Sequence, residues 1–249
     1  MSPEPLLVMP HPLRSPKRIK PDDFQIKALE ALLRGSDVLV AAPTGSGKTW
    51  IAEQLARRTL ADGSTLIYTS PLKALSNQKY RSFSQIFGES AVGLITGDVK
   101  INSLGRILVM TTEIFRNMCL DTPEALEQVS HVVFDEFHWI DSDRGTVWEE
   151  AVIFAPAQVR FLCLSATVPN YDSLATWLEM VTDRLVETVV EKQRPVPLAW
   201  RWVIGKEVYS EKEAVRLVPE LIKQKKRERE QRGRHHWWDE DTDHEEFMR

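Results

Sequence analysis

A loop suited to holding phosphate stands near the start of the chain. Residues Ala42, Pro43, Thr44, Gly45, Ser46, Gly47, Lys48 and Thr49 read APTGSGKT. A triphosphate needs many donors close together, with no bulky side chain in the way. Gly45 and Gly47 let the backbone curl so that successive N–H groups face one anion. A helix starting near Lys48 adds the positive end of its dipole. Lys48 brings a mobile ammonium, and Thr49 a hydroxyl for Mg²⁺, an ion that takes few protein ligands and keeps several waters. The run departs from the strict G-x-x-x-x-G-K-[ST] pattern at its first position, where Ala42 stands for glycine.

A second constellation complements the loop. Asp135 and Glu136 close the apolar run HVVFDE, and His138 follows two residues later. Asp135 is placed to hold Mg²⁺ through its water shell, and Glu136 to orient and deprotonate an attacking water. An Asp-Glu pair alone reads as a solvated acidic patch. After a buried strand, downstream of a phosphate loop, it reads as the other half of an ATP-hydrolysing site. The catalytic candidates are therefore Lys48, Asp135 and Glu136, and the metal candidates Thr49 and Asp135. His138 has two readings: hydrogen-bonded structure near a strand end, or a group coupling the nucleotide site to whatever the chain grips.

These residues need a scaffold that brings them to one edge. FQIKALEALLRG carries apolar residues at helical spacing and stops on Gly35. DVLVAA then reads as a buried strand, followed by the loop and a helix from about Lys48 to Leu60. The alternation repeats. TLIYTS (65–70), AVGLIT (91–96), RILVMT (106–111), HVVFDE (131–136) and VRFLCLSA (159–166) read as strands. A helix over 72–87 and another starting at EIFRNM lie between them. The pattern predicts an α/β fold with a mainly parallel sheet covered by helices on both faces. Ligands of such sheets bind at the carboxyl ends of the strands, where both constellations fall.

Residues 1–21 read as a proline-rich arm, 22–193 as the nucleotide-binding domain, and 194–249 as an exit segment and charged tail. RPVPLAWRWV looks extended. Lys212 to Arg229 reads as one helix with a break near Pro219, and the remainder turns first basic, then acidic. The net charge of −4 excludes a polycation, so any nucleic-acid surface must be a local patch. Cys119 and Cys163 suit core thiols, which with the lack of a disulfide framework or an apolar span points to a cytoplasmic protein with no membrane partner. His235, His236 and His244 lack any metal-ligand spacing, and Trp237 and Trp238 are free to stack on bases or on another domain.

Taken in order, these motifs resemble superfamily 2 DExH-box helicases, most closely the superkiller-like RNA helicases, from about Phe24 to Trp202. Phe24-Gln25 resembles that family's adenine-reading motif, APTGSGKT its phosphate loop, SPLKALSNQKY (70–80) the following motif, and DEFH the acidic one. LITGDVKIN (94–102) and TTEIFRNM (111–118) resemble the next pair, and LSATVPN (164–170) the coupling motif. DRGTVWEE (143–150) and RPVPL (194–198) resemble the superkiller branch, whereas Phe137 departs from the small residue usual in DEFH's third place.

The resemblance implies a RecA-like domain using ATP and Mg²⁺ to move along a single strand, RNA favoured. It implies Gln25 as adenine reader, and Ser165 and Thr167, with His138, as links between the nucleotide and the strand. Pro71, Lys73, Gly97, Asp98, Thr111 and Thr112 would form a strand-binding edge. Each of these alone is also a turn or helix cap, but together they suit phosphate and ribose contacts that ignore base identity. The family uses a second RecA-like domain, in cis or in trans, whose arginines complete the site. QRGR (231–234) has the letters of that arginine motif without a preceding strand and helix, and reads as a coincidence within a basic run. The chain thus reads as one half of a motor. The alternative is a nucleotide-dependent binding module with negligible turnover.

Overall fold

The structure, a computed structural model, describes residues 20–166, 170–196, 201–204 and 206–235. The chain divides into two compact units at Pro195, and each is described by itself.

In the first unit, β-branched and apolar runs make the strands. These are β1 (Asp37–Ala41), β2 (Thr65–Ser70), β3 (Val92–Ile95), the two-residue β4 (Lys100–Ile101), β5 (Ile107–Thr111), β6 (Val129–Phe134), β7 (Arg160–Ser165) and β8 (Val186–Val190). They form one sheet in the order β4-β3-β5-β2-β6-β7-β1-β8. Every pairing is parallel except β3 with β4. The helices are α1 (Asp23–Leu33), α2 (Thr49–Ala61), α3 (Lys73–Phe87), α4 (Thr112–Asp121), α5 (Thr146–Ile153) and α6 (Tyr171–Thr182). Alternate strand residues feed two cores, one on each face, as strand geometry requires. Val40, Tyr68, Val109 and Leu164 pack with Phe24, Ile51, Leu55 and Phe83 of α1–α3. Leu39, Met110, Phe134 and Cys163 pack with Phe115, Trp148 and Leu178 of α4–α6. Each fully buried large apolar side chain contributes about 1.5–3 kcal/mol.

Parallel pairing puts the strand ends in register. Ala41 lies beside Ser165, Ser70 beside Thr111, and Phe134 beside Thr69 and Cys163. The phosphate loop, the acidic pair and the residues after β2 and β5 therefore leave one edge of the sheet together. The expected mainly parallel α/β sheet is present, with additions. β8 is a half-exposed edge strand, VETVV, whose central Glu187 and Thr188 break it up for a search for apolar runs.

The second unit differs from its expectation. Where an extended exit is expected, Arg201–Ile204 (β9) pairs antiparallel with Glu207–Ser210 (β10). Trp202, Val203, Val208 and Tyr209 favour the pleated form. The expected break at Pro219 is absent, because α7 runs unbroken from Glu211 to His235. Proline removes one helical hydrogen bond, about 3 kcal/mol, but strong helix formers surround it. The start is also fixed. Glu213 accepts from the Ser210 N–H (2.7 Å) and hydroxyl (2.6 Å) while Ser210 Oγ receives the Glu213 N–H (3.4 Å), a reciprocal cap.

Candidate functional site

The phosphate loop leaves β1 at Ala42 and enters α2 at Thr49. Gly45 and Gly47 both take positive φ, +83° and +84°. A Cβ on Gly47 would sit 2.7 Å from Gln25 Nε2, the movable end of a side chain, so the positive φ is what calls for glycine there. Ala42, the departure from the strict pattern, is fully buried, and its N–H donates to Ser165 O at 3.1 Å. The loop's first residue thus continues the sheet, and a methyl group fits there. Ser46 Oγ is buried with no hydrogen-bond partner among the described residues.

Lys48 folds back over the loop and donates to the carbonyls of Ala42 (2.6 Å) and Pro43 (3.2 Å). Burial lowers its ammonium pKa, while Glu136 and Asp135 pull it the other way. Gln25 is buried beneath the loop. Its Oε1 accepts from the Asp22 N–H at 2.9 Å, and its Nε2 donates to Gly47 O at 2.9 Å. Here Gln25 is a brace between α1 and the phosphate loop. One amide hydrogen and one lone pair remain for an adenine. Beside it opens a cleft of about 480 Å³ lined by Pro21, Phe24, Ser46, Glu191 and Arg194.

Asp135 and Glu136 follow β6 directly. Glu136 adopts the left-handed conformation (φ 53°, ψ 44°), uncommon for a side chain with a Cβ. Such strain clusters at functional positions. It turns the chain sharply into a short 3₁₀ segment, Phe137–Asp141, and seats Phe137 in the core against Phe134. That packing gives the large residue in DEFH's third place its physical role. Asp135 Oδ1 accepts from the Glu136 N–H (3.1 Å) and Oδ2 from the Tyr68 hydroxyl (2.5 Å). Burial and the Asp135 charge hold the Tyr68 phenol well above its ordinary pKa, so it stays a donor. His138 Nδ1 lies 3.5 Å from Glu136 Oε2 and 3.5 Å from the Ala166 nitrogen after β7. It therefore spans the acidic pair and the strand bearing Ser165, whose buried hydroxyl has no partner among the described residues. Thr167 lies outside the described residues.

The sequence alone assigns two groups here no role, although Lys79 lies within the run SPLKALSNQKY. Lys79 of α3 donates to Thr49 Oγ1 at 2.7 Å and lies 3.7 Å from Asp135 Oδ2. Tyr68 reads from sequence as one more core aromatic. A buried tyrosine needs a partner for its hydroxyl, and that need was the available clue.

The residues assigned to strand binding gather at the same sheet edge. Pro71, Lys73, Gly97 and Thr111 line a cleft of about 370 Å³ with Glu113 and Arg144. Lys73 is paired with Asp98, and Arg144 with Glu113. Arg144 and Glu113 were not expected there. Thr111 and Thr112 stand at the start of α4, and the Thr112 hydroxyl is buried without a partner among the described residues. Thr112 does not line the cleft.

Comparison with known proteins bears on the family and the fold. The family model for DEAD/DEAH box helicases matches residues 22–174. The chain is 52% identical over 186 residues to the DExH-box ATP-dependent RNA helicase DExH15 of Arabidopsis thaliana, covering 72% of this chain and 16% of that protein. It is 44% identical over 193 residues to the antiviral helicase SKI2 of Saccharomyces cerevisiae, covering 77% of this chain and 15% of that one. The chain thus spans about a sixth of the length of these relatives. Among solved structures, the UvsW helicase of bacteriophage T4 superposes with a TM-score of 0.56 at 19% identity, over 72% of this chain and 62% of that one. The helicase MrfA bound to DNA gives 0.57 at 19% identity, over 68% and 27%. At such identities the likeness is one of fold, and that fold is RecA-like.

Proposed function

We propose that this chain, which belongs to the DEAD/DEAH box helicase family, is the ATP-binding half of a motor that moves along single-stranded nucleic acid, RNA favoured. The observation that carries the reading is the meeting of Lys48, Thr49, Asp135 and Glu136 at one sheet edge, next to the cleft lined by Pro71, Lys73, Gly97 and Thr111.

The loop amides and Lys48 would cradle the phosphates, with Lys48 released from the Ala42 and Pro43 carbonyls to reach them. Phe24, Arg194 and the brace residue Gln25 would receive the nucleoside. Thr49 and Asp135 suit Mg²⁺, since their oxygens already converge on one cation, the Lys79 ammonium. Mg²⁺ would supply charge neutralisation between the phosphates. Glu136, held at the end of β6 by its strained backbone, is placed to orient a water and take its proton. His138 would pass the state of that carboxylate to β7. Completing the site calls for a second RecA-like domain with arginines, in cis or in trans. Lys73 and Arg144, each screened by a carboxylate, would exchange those partners for strand phosphates.

The test is ATP turnover with and without single-stranded RNA or DNA. Stimulation by a strand, RNA more than DNA, is expected. Turnover that neither strand changes would overturn the motor reading. Tight Mg²⁺-dependent nucleotide binding with negligible turnover under all conditions would favour a nucleotide-dependent binding module.

A further inference from the structure

The metal-binding edge holds a cation of its own. Lys79 projects from the second turn of α3, and its ammonium donates to Thr49 Oγ1 at 2.7 Å. It lies 3.7 Å from Asp135 Oδ2 and 5.3 Å from the centre of the Tyr68 ring. Its side chain is 19% exposed and that of Asp135 13%, so water screens the pair only partly. Asp135 Oδ2 also receives the Tyr68 hydroxyl, and Oδ1 the Glu136 N–H. The carboxylate is thus oriented and neutralised from three sides.

Thr49 Oγ1 and Asp135 Oδ2 are also the two oxygens best suited to Mg²⁺. Lysine is a compact point charge on a flexible stem, able to stand in for a metal ion and then leave. Its charge is also felt on the neighbouring helix. Glu53, one turn beyond Thr49 on α2, has its carboxyl pushed up by burial and drawn down by the Lys79 charge.

We propose that Lys79 is a resident counter-ion for the Mg²⁺ position, bound by Thr49 and Asp135 until Mg²⁺ displaces it. The proposal rests on the reading of Thr49 and Asp135 as metal-binding groups. It assigns Lys79 a positioning role. Without the ion, two carboxylates, Asp135 and Glu136, would stand side by side at the end of β6 with Lys48 turned away to its own loop. Lys79 keeps Asp135 in place for the metal, and in return Mg²⁺ must compete with it. Because α3 begins at Lys73 in the strand-binding cleft, that exchange lies on the element joining the two sites.

The experiment titrates Mg²⁺ against the 249-residue chain at a fixed concentration of a fluorescent, non-hydrolysable ATP analogue. It records the Mg²⁺ concentration at half-maximal binding. Lys79→Met removes the competing charge and is expected to lower that midpoint about fivefold, the scale of one part-buried charge. Lys79→Gln should move it the same way and serves if the methionine variant does not fold. A midpoint that stays put or rises in the folded variants would overturn the proposal, a rise meaning that Lys79 holds phosphate itself. Absence of any Mg²⁺-dependent binding by the wild-type chain would instead count against the nucleotide site as a whole.

Discussion

Both edges of the central sheet carry a carboxylate paired with a cation, and the pairs are built differently. At the amino edge, Asp37 opens β1 and is 1% exposed. Its Oδ1 accepts from the Phe161 N–H (2.7 Å) and its Oδ2 from Arg184 Nε (2.8 Å). The guanidinium spends its other nitrogens on the carbonyls of Ala157 (3.0 Å) and Val159 (2.9 Å) and lies over the Phe161 ring. At the carboxyl edge, Asp135 faces Lys79, an ammonium 3.7 Å from its Oδ2 that donates to Thr49 Oγ1 at 2.7 Å. Arginine's planar fork saturates a fixed set of acceptors, whereas a lysine can leave. One edge is a clamp that joins β1, β7 and the approach to β8. On the proposed reading the other exchanges partners, and its cation is the looser of the two, 3.7 Å from its carboxylate against 2.8 Å.

The largest effect expected from disturbing this contrast falls on the exchangeable edge and on chemistry alone. Glu136→Gln removes the proposed base and keeps the shape, so ATP turnover should fall about 10²–10⁴-fold. Its melting temperature and Mg²⁺–nucleotide binding should stay close to wild type. A variant that loses binding and turnover together would mean that Glu136 holds the fold of the loop.

The clamp should answer in stability. Arg184→Met leaves the Asp37 carboxylate buried with a single N–H donor, which should cost about 3–5 kcal/mol in urea unfolding. Adding Asp37→Asn should recover part of that loss, because the amide still accepts from Phe161 and no charge is left unpaired. A double variant as unstable as the sum of its parts would show that packing, not charge, holds this corner.

These two edges were unequally legible. The phosphate loop and DEFH are contiguous in the chain, and apolar runs mark β1, β2 and β5–β7, so strand ends and chemistry could be placed together. Lys79 sits 30 residues after Thr49 and 56 before Asp135, inside the run SPLKALSNQKY, whose resemblance suggests strand contacts at Pro71 and Lys73 and says nothing of a metal site. Only the parallel register that sets β2 beside β6 brings it to the carboxylate. Asp37 and Arg184 are 147 positions apart and meet because β1 pairs with both β7 and β8. β8 gives no apolar run because Glu187 and Thr188 interrupt its valines at a half-buried edge, and the local preference of Pro219 predicts a break that the helix formers on both sides override.

Acid should find the amino edge first. His131 of β6 is mostly buried at this end, with Ser130 Oγ 2.9 Å from its Nδ1. Burial, aided by the Arg160 charge, lowers its pKa to about 4, while Asp37 and Asp62 pull the other way. The unfolded chain has the ordinary value near 6.5, so it takes up a proton that the native state refuses. The stabilisation is complete above pH 6.5, declines between 6.5 and about 4, and is flat below. It should total about 2–3 kcal/mol. Urea midpoints of the wild type should therefore fall faster than those of His131→Gln between pH 6.5 and 4.5. Parallel curves would remove His131 from the account of this edge.

The smallest effect isolates what makes the clamp strong. Arg34 reaches Glu187 of β8 with two hydrogen bonds from Nη2, at 2.8 and 3.0 Å, and Ser36 Oγ adds a third at 2.8 Å. Hydrogen bonds from Ser36 and Arg34 lower the Glu187 carboxyl pKa. By count of hydrogen bonds this cluster rivals Asp37–Arg184, and it lies next to it on the same strands. Its arginine is 59% exposed, however, against 18% for Arg184. Water and salt screen such a pair, and holding two long side chains in one geometry costs entropy. A double-mutant cycle on Arg34→Ala and Glu187→Ala should therefore give a coupling of about 0.2–1 kcal/mol, shrinking further in molar salt. A coupling as large as that of Asp37 with Arg184 would mean that hydrogen-bond geometry, not burial, sets the strength of both. It would also remove the reason for treating the part-buried Lys79–Asp135 pair as one that a stronger cation can displace.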